Sequence, residues 1–450
     1  MRLNGIRRSR NSTYNRYMGE VVRLGTVAED GSSAKTRSRP KRSASAKSDP
    51  TRHKTALVLG GGGFTGGVYE IGALRALDLL ATNRTVNQFD VYVGTSAGAF
   101  VAALSANGIT PEEMMRVVTR QGPGSFRDVD LGDLLKLNLY EFARTGVRLP
   151  LRIASLVRQL LPQIGQVSMI DIVLGLAEIL PSGAYTGEGI ERYLSKVLSQ
   201  EGRSNDFRKL EHELYLAATD LDTCERVVFG SPGYDDVPIS TAVRASGALP
   251  MVYSPVVVGD RELVDGGIVS TTNLDIAVKA GAKLVIVINP VVPFVNEPAE
   301  RGADRNGIRP RRISDMGFSK IGYQAFKLLA HRRLHDMAGM WEERYPGVDI
   351  VLIEPDARDE LMFETSILNF AARIEIARHG FQSVTYHLLD EYERYSEIWA
   401  RHGVEISAHR VRRVVDHFES EEERTGGWHK ILEGTTGALL RQSGLGGGQS

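Results

Sequence analysis

Beyond a polar N-terminal segment, apolar and glycine-rich stretches alternate in a rhythm typical of a parallel sheet flanked by helices. The apolar run Thr55–Leu59 predicts a strand, and helical spacing over Tyr69–Ala81 predicts the helix that follows. A second strand is predicted at Phe89–Val93 and a second, small-residue helix at Ala97–Ala106. Strand, loop and helix, repeated twice in this order, indicate βαβ units.

The same pattern continues along the chain and sets the expected fold class. Six later apolar runs predict strands at Leu214–Ala218, Glu225–Phe229, Val256–Val258, Glu262–Val264, Lys283–Ile288 and Asp349–Ile353. Further helices are predicted at Asn273–Ala280, Phe318–Trp341 and Phe370–Tyr395. We therefore expect an α/β fold, a three-layer α/β/α sandwich with a mostly parallel central sheet, plus a helical C-terminal extension.

Composition and pattern divide the chain into segments. Residues 1–54 are predicted to be a disordered basic arm, 55–295 the sheet-containing domain, 296–433 a helix-rich extension packed on it, and 434–450 a flexible tail. Within the domain, 122–184 is apolar and helical in pattern. It is either a cap over an apolar substrate or an ordinary surface region with one core-facing side.

Overall composition narrows the class of protein. The 450 residues are 42% hydrophobic and 24% charged, as in a soluble globular protein with a large core. No apolar run is long enough to predict a membrane span. The single cysteine, Cys224, excludes an intrachain disulfide and a thiolate metal cage, which fits a reducing compartment. We expect a cytoplasmic protein. Peripheral contact with a membrane stays open as an alternative.

The neutral total charge conceals a strongly basic N-terminal segment. Residues 1–54 contain 14 Lys and Arg against four Asp and Glu, a net charge of +10, so the remainder carries −10. Such an arm suits attachment to an anionic membrane surface or nucleic acid, although a solvated tail is the commoner case. We expect no nucleic-acid partner.

The sequence Gly94-Thr-Ser-Ala-Gly98 is the strongest chemical signal in the chain. It is a G-x-S-x-G motif between a predicted strand and a predicted helix. In a nucleophile elbow the serine occupies a tight, strained turn, and small neighbours prevent clashes there. This context predicts that Ser96 is an exposed nucleophile near a helix N-terminus; the alternative is a tight glycine turn with an idle serine.

A second motif, the glycine run Gly60–Gly67, also follows a strand and opens a helix. Such loops aim backbone N–H groups at an anion. Its Gly61-x-Gly63-x-x-Gly66 spacing matches a dinucleotide-binding fingerprint, but the acid expected about 20 residues later is missing from Ala81–Thr85. No Lys-Ser/Thr follows, which excludes a Walker A loop. The remaining use is an oxyanion hole.

The third motif, Asp265-Gly266-Gly267, follows a predicted hairpin and places an acid at a strand end. Asp-Gly alone usually marks a turn, but beside the other two motifs it predicts a functional carboxylate. The ten histidines lie outside all three motifs. His331 and His335 are four residues apart on a predicted helix, as metal ligands can be, but no H-E-x-x-H accompanies them, so we favour an ordinary surface helix.

The three motifs, in this order, resemble those of the patatin-like phospholipase family. The resemblance covers residues 55–295 and includes Ala218-Thr-Asp-Leu-Asp-Thr223 and Ala245-Ser-Gly-Ala-Leu-Pro250. It implies a modified α/β-hydrolase-like catalytic domain that hydrolyses acyl esters of lipids without a catalytic histidine, metal ion or organic cofactor. A lipid substrate would then be the principal binding partner.

The resemblance also assigns roles to individual residues. It implies that Ser96 is the nucleophile and Asp265 its base. The backbone amides of the glycine loop would form the oxyanion hole; these belong to Gly61, Gly62 and Gly63. The remaining motif glycines shape the turns, namely Gly66, Gly94, Gly98, Gly266 and Gly267.

The chain departs from the family pattern in its glycine loop. The family usually has Arg or Lys just before the final glycine of this loop, where this chain has Thr65 or Gly66, and the spacing to Gly72 is one residue longer. Two alternatives to a hydrolase therefore stay open. One is a catalytically weak or inactive lipid-binding or scaffolding protein of the same fold, and the other is a nucleotide-binding module.

Overall fold

The computed structural model describes residues 53–119, 183–296, 312–364 and 372–422. The arm up to residue 52, nearly all of the predicted cap at 122–184 and the tail at 434–450 lie outside the described residues. Two residues that we assigned to the arm have contacts in the folded part of the chain: His53 contacts His402 of the C-terminal region, and Lys54 contacts the sheet-containing domain. The Lys54 ammonium lies 2.9 Å from Glu213 Oε1 and donates to the Ala280 carbonyl at 2.6 Å, contacts that a sequence pattern does not reveal.

The secondary-structure elements follow the predicted order. The strands are β1 (Thr55–Leu59), β2 (Val91–Thr95), β3 (Gly183–Tyr185), β4 (Glu213–Asp220), β5 (Arg226–Phe229), β6 (Met251–Tyr253), β7 (Val256–Val258), β8 (Arg261–Asp265), β9 (Leu284–Ile288) and β10 (Asp349–Ile353). The helices are α1 (Gly63–Leu80), α2 (Ala97–Ala106), α3 (Pro111–Thr119), α4 (Glu188–Leu198), α5 (Ile239–Ser246), α6 (Asp275–Lys279), α7 (Phe318–Ala338), α8 (Trp341–Arg344), α9 (Glu360–Glu364), α10 (Arg373–Asp390), α11 (Tyr392–Ala400) and α12 (Ala408–Glu422).

Within the described residues, eight strands form one mixed sheet. Its order is β10-β9-β1-β2-β4-β8-β7, with β5 also paired to β4. The strands from β10 to β4 run parallel to their neighbours, whereas β5, β7 and β8 pair antiparallel. The short strands β3 and β6 form a separate parallel pair. The prediction of a mostly parallel central sheet is confirmed.

The sheet separates two layers of helices, and the alternation along β1 shows how. Leu57 and Leu59 face one core, built with helices α1, α2, α5 and α10. Ala56 and Val58 face the other, which includes α6 and Leu334 of α7. Because successive side chains on a strand point to opposite faces, a strand covered on both sides is buried at every position, as β1 is. The result is the predicted three-layer α/β/α sandwich.

The C-terminal region is helical, as predicted, and it completes the core. Strand β10 extends the sheet beside β9, and α10 packs along α1. The two helices approach closely at glycines: a Cβ on Gly72 would overlap the Ala377 carbonyl, and one on Gly380 would overlap the Tyr69 carbonyl. No helix among the described residues combines the length and apolarity needed to cross a bilayer.

Candidate active site

Ser96 occupies the sharp turn between β2 and α2. Its backbone has φ 56° and ψ −123°, a region that L-residues rarely adopt. The flanking glycines leave room for this turn: a Cβ on Gly94 would lie 2.5 Å from Ala99 Cα, and one on Gly98 would overlap the Gly60 carbonyl. The geometry is that of the nucleophile elbow predicted from the G-x-S-x-G motif.

Asp265 ends strand β8 and meets the serine directly. The Ser96 hydroxyl donates to Asp265 Oδ2 at 2.5 Å, and the Gly267 amide donates to Oδ1 at 2.7 Å. The side chain is almost fully buried, and this desolvation raises the pKa of the carboxyl to about 6 even though both hydrogen bonds oppose it. The structure thus brings together the two residues that the sequence singled out.

Strand β4 explains why these two residues meet. Thr95, which precedes the serine, is opposite Ala217, and Asp265 is opposite the next residue, Ala218. The Thr219 hydroxyl donates to the Asp265 carbonyl at 3.1 Å and ties β8 to β4 near its end. The stretch Ala218–Thr223, noted in the sequence without a role, therefore holds the acid in place.

The stretch Ala245–Pro250 provides the second support. Ser246 Oγ accepts a hydrogen bond from the Ser96 amide at 2.9 Å and donates to the Ala217 carbonyl at 2.6 Å. The Ala248 carbonyl accepts from the Asp265 amide at 3.0 Å. Ser246 is fully buried, so its hydroxyl holds the elbow backbone from below the site without competition from water.

Asn273 is a supporting residue that the sequence analysis missed. It has a positive φ of 51°, and its side-chain amide donates to Thr95 Oγ1 at 2.9 Å and to the Ser270 carbonyl at 2.6 Å. Its carboxamide oxygen also accepts from Arg226. No local pattern marks this residue, because two of its three partners, Thr95 and Arg226, are distant in the chain.

The glycine loop lies beside the serine but uses one of its predicted donors elsewhere. A Cβ on Gly61 would be 3.4 Å from Ser96 Cβ, so the loop touches the elbow. The Gly61 amide, however, donates to the Thr271 carbonyl at 3.0 Å. This bond holds the loop against the segment after β8, and the role of Gly61 as an oxyanion donor stays a prediction.

The other two predicted donors stand at the N-terminus of α1. The first bond of the helix runs from the Gly66 amide to the Gly62 carbonyl at 3.1 Å. The first N–H groups of a helix have no intrahelical acceptor, and the amides of Gly62 and Gly63 are among these. Both glycines have positive φ, 139° and 65°, a conformation that other residues rarely adopt.

Two buried side chains, those of Thr65 and Glu70, lie on the helix that follows this loop. Thr65 is buried, and its hydroxyl lies 3.4 Å from the Gly62 carbonyl. Patatin-like phospholipases usually have a basic residue, Arg or Lys, at this position of the loop. Glu70, one turn further along α1, is fully buried, and neither of its oxygens has a hydrogen-bond partner among the described residues. Burial raises the pKa of the Glu70 carboxyl well above its usual range.

Comparison with known proteins agrees with this architecture. Residues 57–278 match the family model described as patatin-like phospholipase, so this region of the chain is similar to that family.

Two known proteins match this chain at low sequence identity. The probable lipid hydrolase 463L of invertebrate iridescent virus 6 is 23% identical over 236 residues, which cover 51% of this chain and 65% of the viral protein. The uncharacterized protein YqhO of Bacillus subtilis is 25% identical over 262 residues, covering 55% of this chain and 76% of YqhO. The match therefore spans just under two thirds of the viral protein.

Two solved structures match this chain at low sequence identity and low TM-score. VipD from Legionella pneumophila is 16% identical with a TM-score of 0.33, and the match covers 76% of this chain and 67% of VipD. The type III effector ExoU of Pseudomonas aeruginosa is 16% identical with a TM-score of 0.29, covering 75% and 53%.

Proposed function

We propose that this protein is a serine acyl-ester hydrolase of lipids in which Ser96 and Asp265 form a catalytic dyad. The observation that carries the proposal is the direct 2.5 Å hydrogen bond between Ser96 Oγ and Asp265 Oδ2 at a strained strand-to-helix elbow. The match of residues 57–278 to the patatin-like phospholipase family model and the relative named a probable lipid hydrolase support a lipid ester as the substrate class.

The chemistry begins with attack by Ser96 Oγ on the ester carbonyl carbon while Asp265 accepts the hydroxyl proton. The carbonyl oxygen becomes an oxyanion, which the amides of Gly62 and Gly63 and the N-terminus of α1 stabilise. Asp265 then gives its proton to the departing alcohol, leaving an acyl-enzyme. Water attacks this ester, passes a proton to Asp265, and the carboxylic acid product leaves as the proton returns to Ser96.

The properties of Asp265 suit this role. Burial holds the pKa of its carboxyl at about 6, which is nearer to neutrality than an ordinary aspartate. A base with a raised pKa accepts a proton more readily and is still ionised at neutral pH. The Gly267 amide on the other carboxylate oxygen keeps Oδ2 directed at the serine.

A catalytically weak lipid-binding protein is the second candidate. The observations that favour it are the absence of a basic side chain at Thr65 and the use of the Gly61 amide within the protein. Such a site would bind lipid without turning it over.

The experiment that tests the proposal compares p-nitrophenyl butyrate hydrolysis by the wild type, Ser96→Ala and the matched control Ser314→Ala, whose serine is exposed and outside the site. We expect Ser96→Ala to lose at least about 10³-fold in kcat/KM, with unchanged circular dichroism and melting temperature, and the control to keep the wild-type rate. A Ser96→Ala protein that turns over at the wild-type rate would refute the dyad.

A further inference from the structure

Three potential metal ligands meet beyond the end of β10, three strands along the sheet from β2, which precedes the serine elbow. His331 and His335 are one turn apart on α7, and Glu354 directly follows β10. His335 Nε2 lies 2.8 Å and His331 Nε2 lies 3.8 Å from the same carboxylate oxygen, Glu354 Oε2. The two imidazole rings have centroids 4.0 Å apart, and one ligand atom from each residue lies within 4.8 Å of the others.

These spacings are close to those of a bound metal ion. A tetrahedral ion with ligand bonds of about 2.0 Å holds its ligand atoms about 3.3 Å apart. The two distances to Glu354 Oε2 lie on either side of this value. Small side-chain rotations would therefore bring all three atoms onto one ion without moving the backbone.

The carboxylate is already oriented by a buried partner. Asn289 is fully buried, and its side-chain amide donates to Glu354 Oε1 at 2.6 Å. Its own amide donates to the Ile353 carbonyl at 2.9 Å, which fixes Asn289 to the end of β10. Since Oε1 is held in this way, Oε2 faces the histidines. Metal-binding carboxylates commonly have such an outer hydrogen-bonding partner.

The three proposed ligand side chains differ in their exposure to solvent. The side chains of His331 and Glu354 are 14% and 15% exposed, whereas that of His335 is 39% exposed. Two ligands are thus held within the fold while the third borders solvent. An ion could enter from this side, and a water molecule could complete its coordination.

We propose that His331, His335 and Glu354 form a binding site for one divalent transition-metal ion of the Zn²⁺ class. Two imidazoles and a carboxylate are a donor set that such ions favour over Mg²⁺ or Ca²⁺, which prefer oxygen ligands alone. Three protein ligands leave the fourth position to water. The site lies apart from the Ser96–Asp265 pair, so the proposal does not depend on ester hydrolysis.

The consequence of binding would be structural and would reach the glycine loop. The ion would join α7 to the end of β10, and Asn289 connects β10 to the segment after β9. The next residue, Pro290, packs against the loop: a Cβ on Gly62 or on Gly66 would lie 3.1 Å from its Cγ. Because the ion would bind the folded protein, it should raise the melting temperature.

The test uses full-length protein purified without a histidine tag and stripped of metal with a chelator. Co²⁺ is titrated in while its visible absorption is recorded, because a four-coordinate ion absorbs far more strongly than the hydrated one, and Zn²⁺ is then added. The variants are His335→Ala and Glu354→Gln. The matched control is His409→Ala, which removes an exposed histidine of α12.

We expect the wild type and His409→Ala to bind one Co²⁺ with the intense spectrum, to lose it on Zn²⁺ addition and to melt at a higher temperature with metal. In both ligand variants binding should weaken by at least about tenfold and the metal-dependent rise in melting temperature should disappear. The proposal is overturned if the wild type gives only the spectrum of hydrated Co²⁺, or if both ligand variants bind as the wild type does. Glu354→Gln preserves size and its bond from Asn289, so it keeps the test decisive if His335→Ala does not fold.

Discussion

Asp265 connects the geometry of single residues to a measurable rate. Burial raises the pKa of its carboxyl to about 6, while the hydrogen bonds from Ser96 and Gly267 oppose that rise. The proposed mechanism needs the ionised form, since only a carboxylate can accept the serine proton. The active fraction therefore falls as the pH drops through the pKa.

We predict that kcat/KM for a soluble p-nitrophenyl ester is level near neutrality and declines below about pH 6, by about tenfold per pH unit once the acid is protonated. Initial rates between about pH 4 and pH 8, corrected for the ionisation of nitrophenol, measure this profile. A rate that stays level down to about pH 4, where an ordinary aspartate titrates, would show that Asp265 is not the base.

Some residues of the site could be predicted from the sequence, and others could not. Ser96 and Asp265 were predictable because each lies in a short motif at a strand end. Ser246 and Asn273 were not predictable as supports, since their contacts with the elbow, to Ser96 and Thr95, join residues distant in the chain. The hydrogen bond from the Gly61 amide to the Thr271 carbonyl likewise joins residues that are distant in the chain. His331 and His335 were noticed as a pair, but Glu354 became their partner only through the fold.

Among the elements, the pair α1 and α10 depends most directly on glycine. In the sequence, Gly72 stands out only through its distance from the glycine loop. In the structure it lies against the Ala377 carbonyl of α10. Gly380 lies in the same way against the Tyr69 carbonyl. Backbones this close leave no space for a Cβ, so any side chain here must push the helices apart.

We predict that Gly380→Ala lowers the free energy of unfolding by about 1–3 kcal/mol. Gly322→Ala is the matched control within α7, where a Cβ meets nothing within 4 Å. That variant should be stabilised by about 0.5–1 kcal/mol, because alanine favours a helix over glycine. Urea denaturation followed by circular dichroism measures both. Equal stability of the two variants would contradict the close packing of α1 and α10.

Element boundaries show where pattern and structure diverge. Helix α2 and strands β1, β7 and β10 have the predicted bounds. Helix α1 starts at Gly63, six residues before the predicted start, because low helix propensity hides a glycine-rich first turn from a periodicity argument. The helix predicted at Phe318–Trp341 ends at Ala338, just before Gly339, and a short helix resumes at Trp341.

For the whole molecule, the sequence predicted the layers and the mostly parallel sheet but not the strand order. The order depends on which strands pair over long distances, for example β9 between β1 and β10, and no local pattern specifies that. The segment division likewise stays a prediction outside the described residues. Its N-terminal boundary can be set more closely, since the Lys54 carbonyl accepts from the Lys283 amide at 2.7 Å beside β1.

The basic arm gives a prediction at this scale. Deleting residues 1–52, and so keeping His53 and Lys54, should abolish the salt-sensitive part of binding to anionic vesicles. Each Lys or Arg near such a surface contributes on the order of 1 kcal/mol, screened over about 10 Å at 0.1 M salt. Co-sedimentation with and without anionic lipid measures this, and hydrolysis of a soluble ester should be unchanged. If both forms sediment equally at low salt, the arm does not mediate membrane contact.

The most direct test of the account is covalent labelling by a fluorophosphonate, which reacts only with an activated serine. Intact-protein mass spectrometry should show one adduct per chain on the wild type, located at Ser96 by peptide mapping, with no adduct on Ser96→Ala and much slower labelling of Asp265→Asn. Full labelling of Ser96→Ala, or a wild type that binds lipid but is never labelled, would contradict the central claim that Ser96 is a nucleophile activated by Asp265.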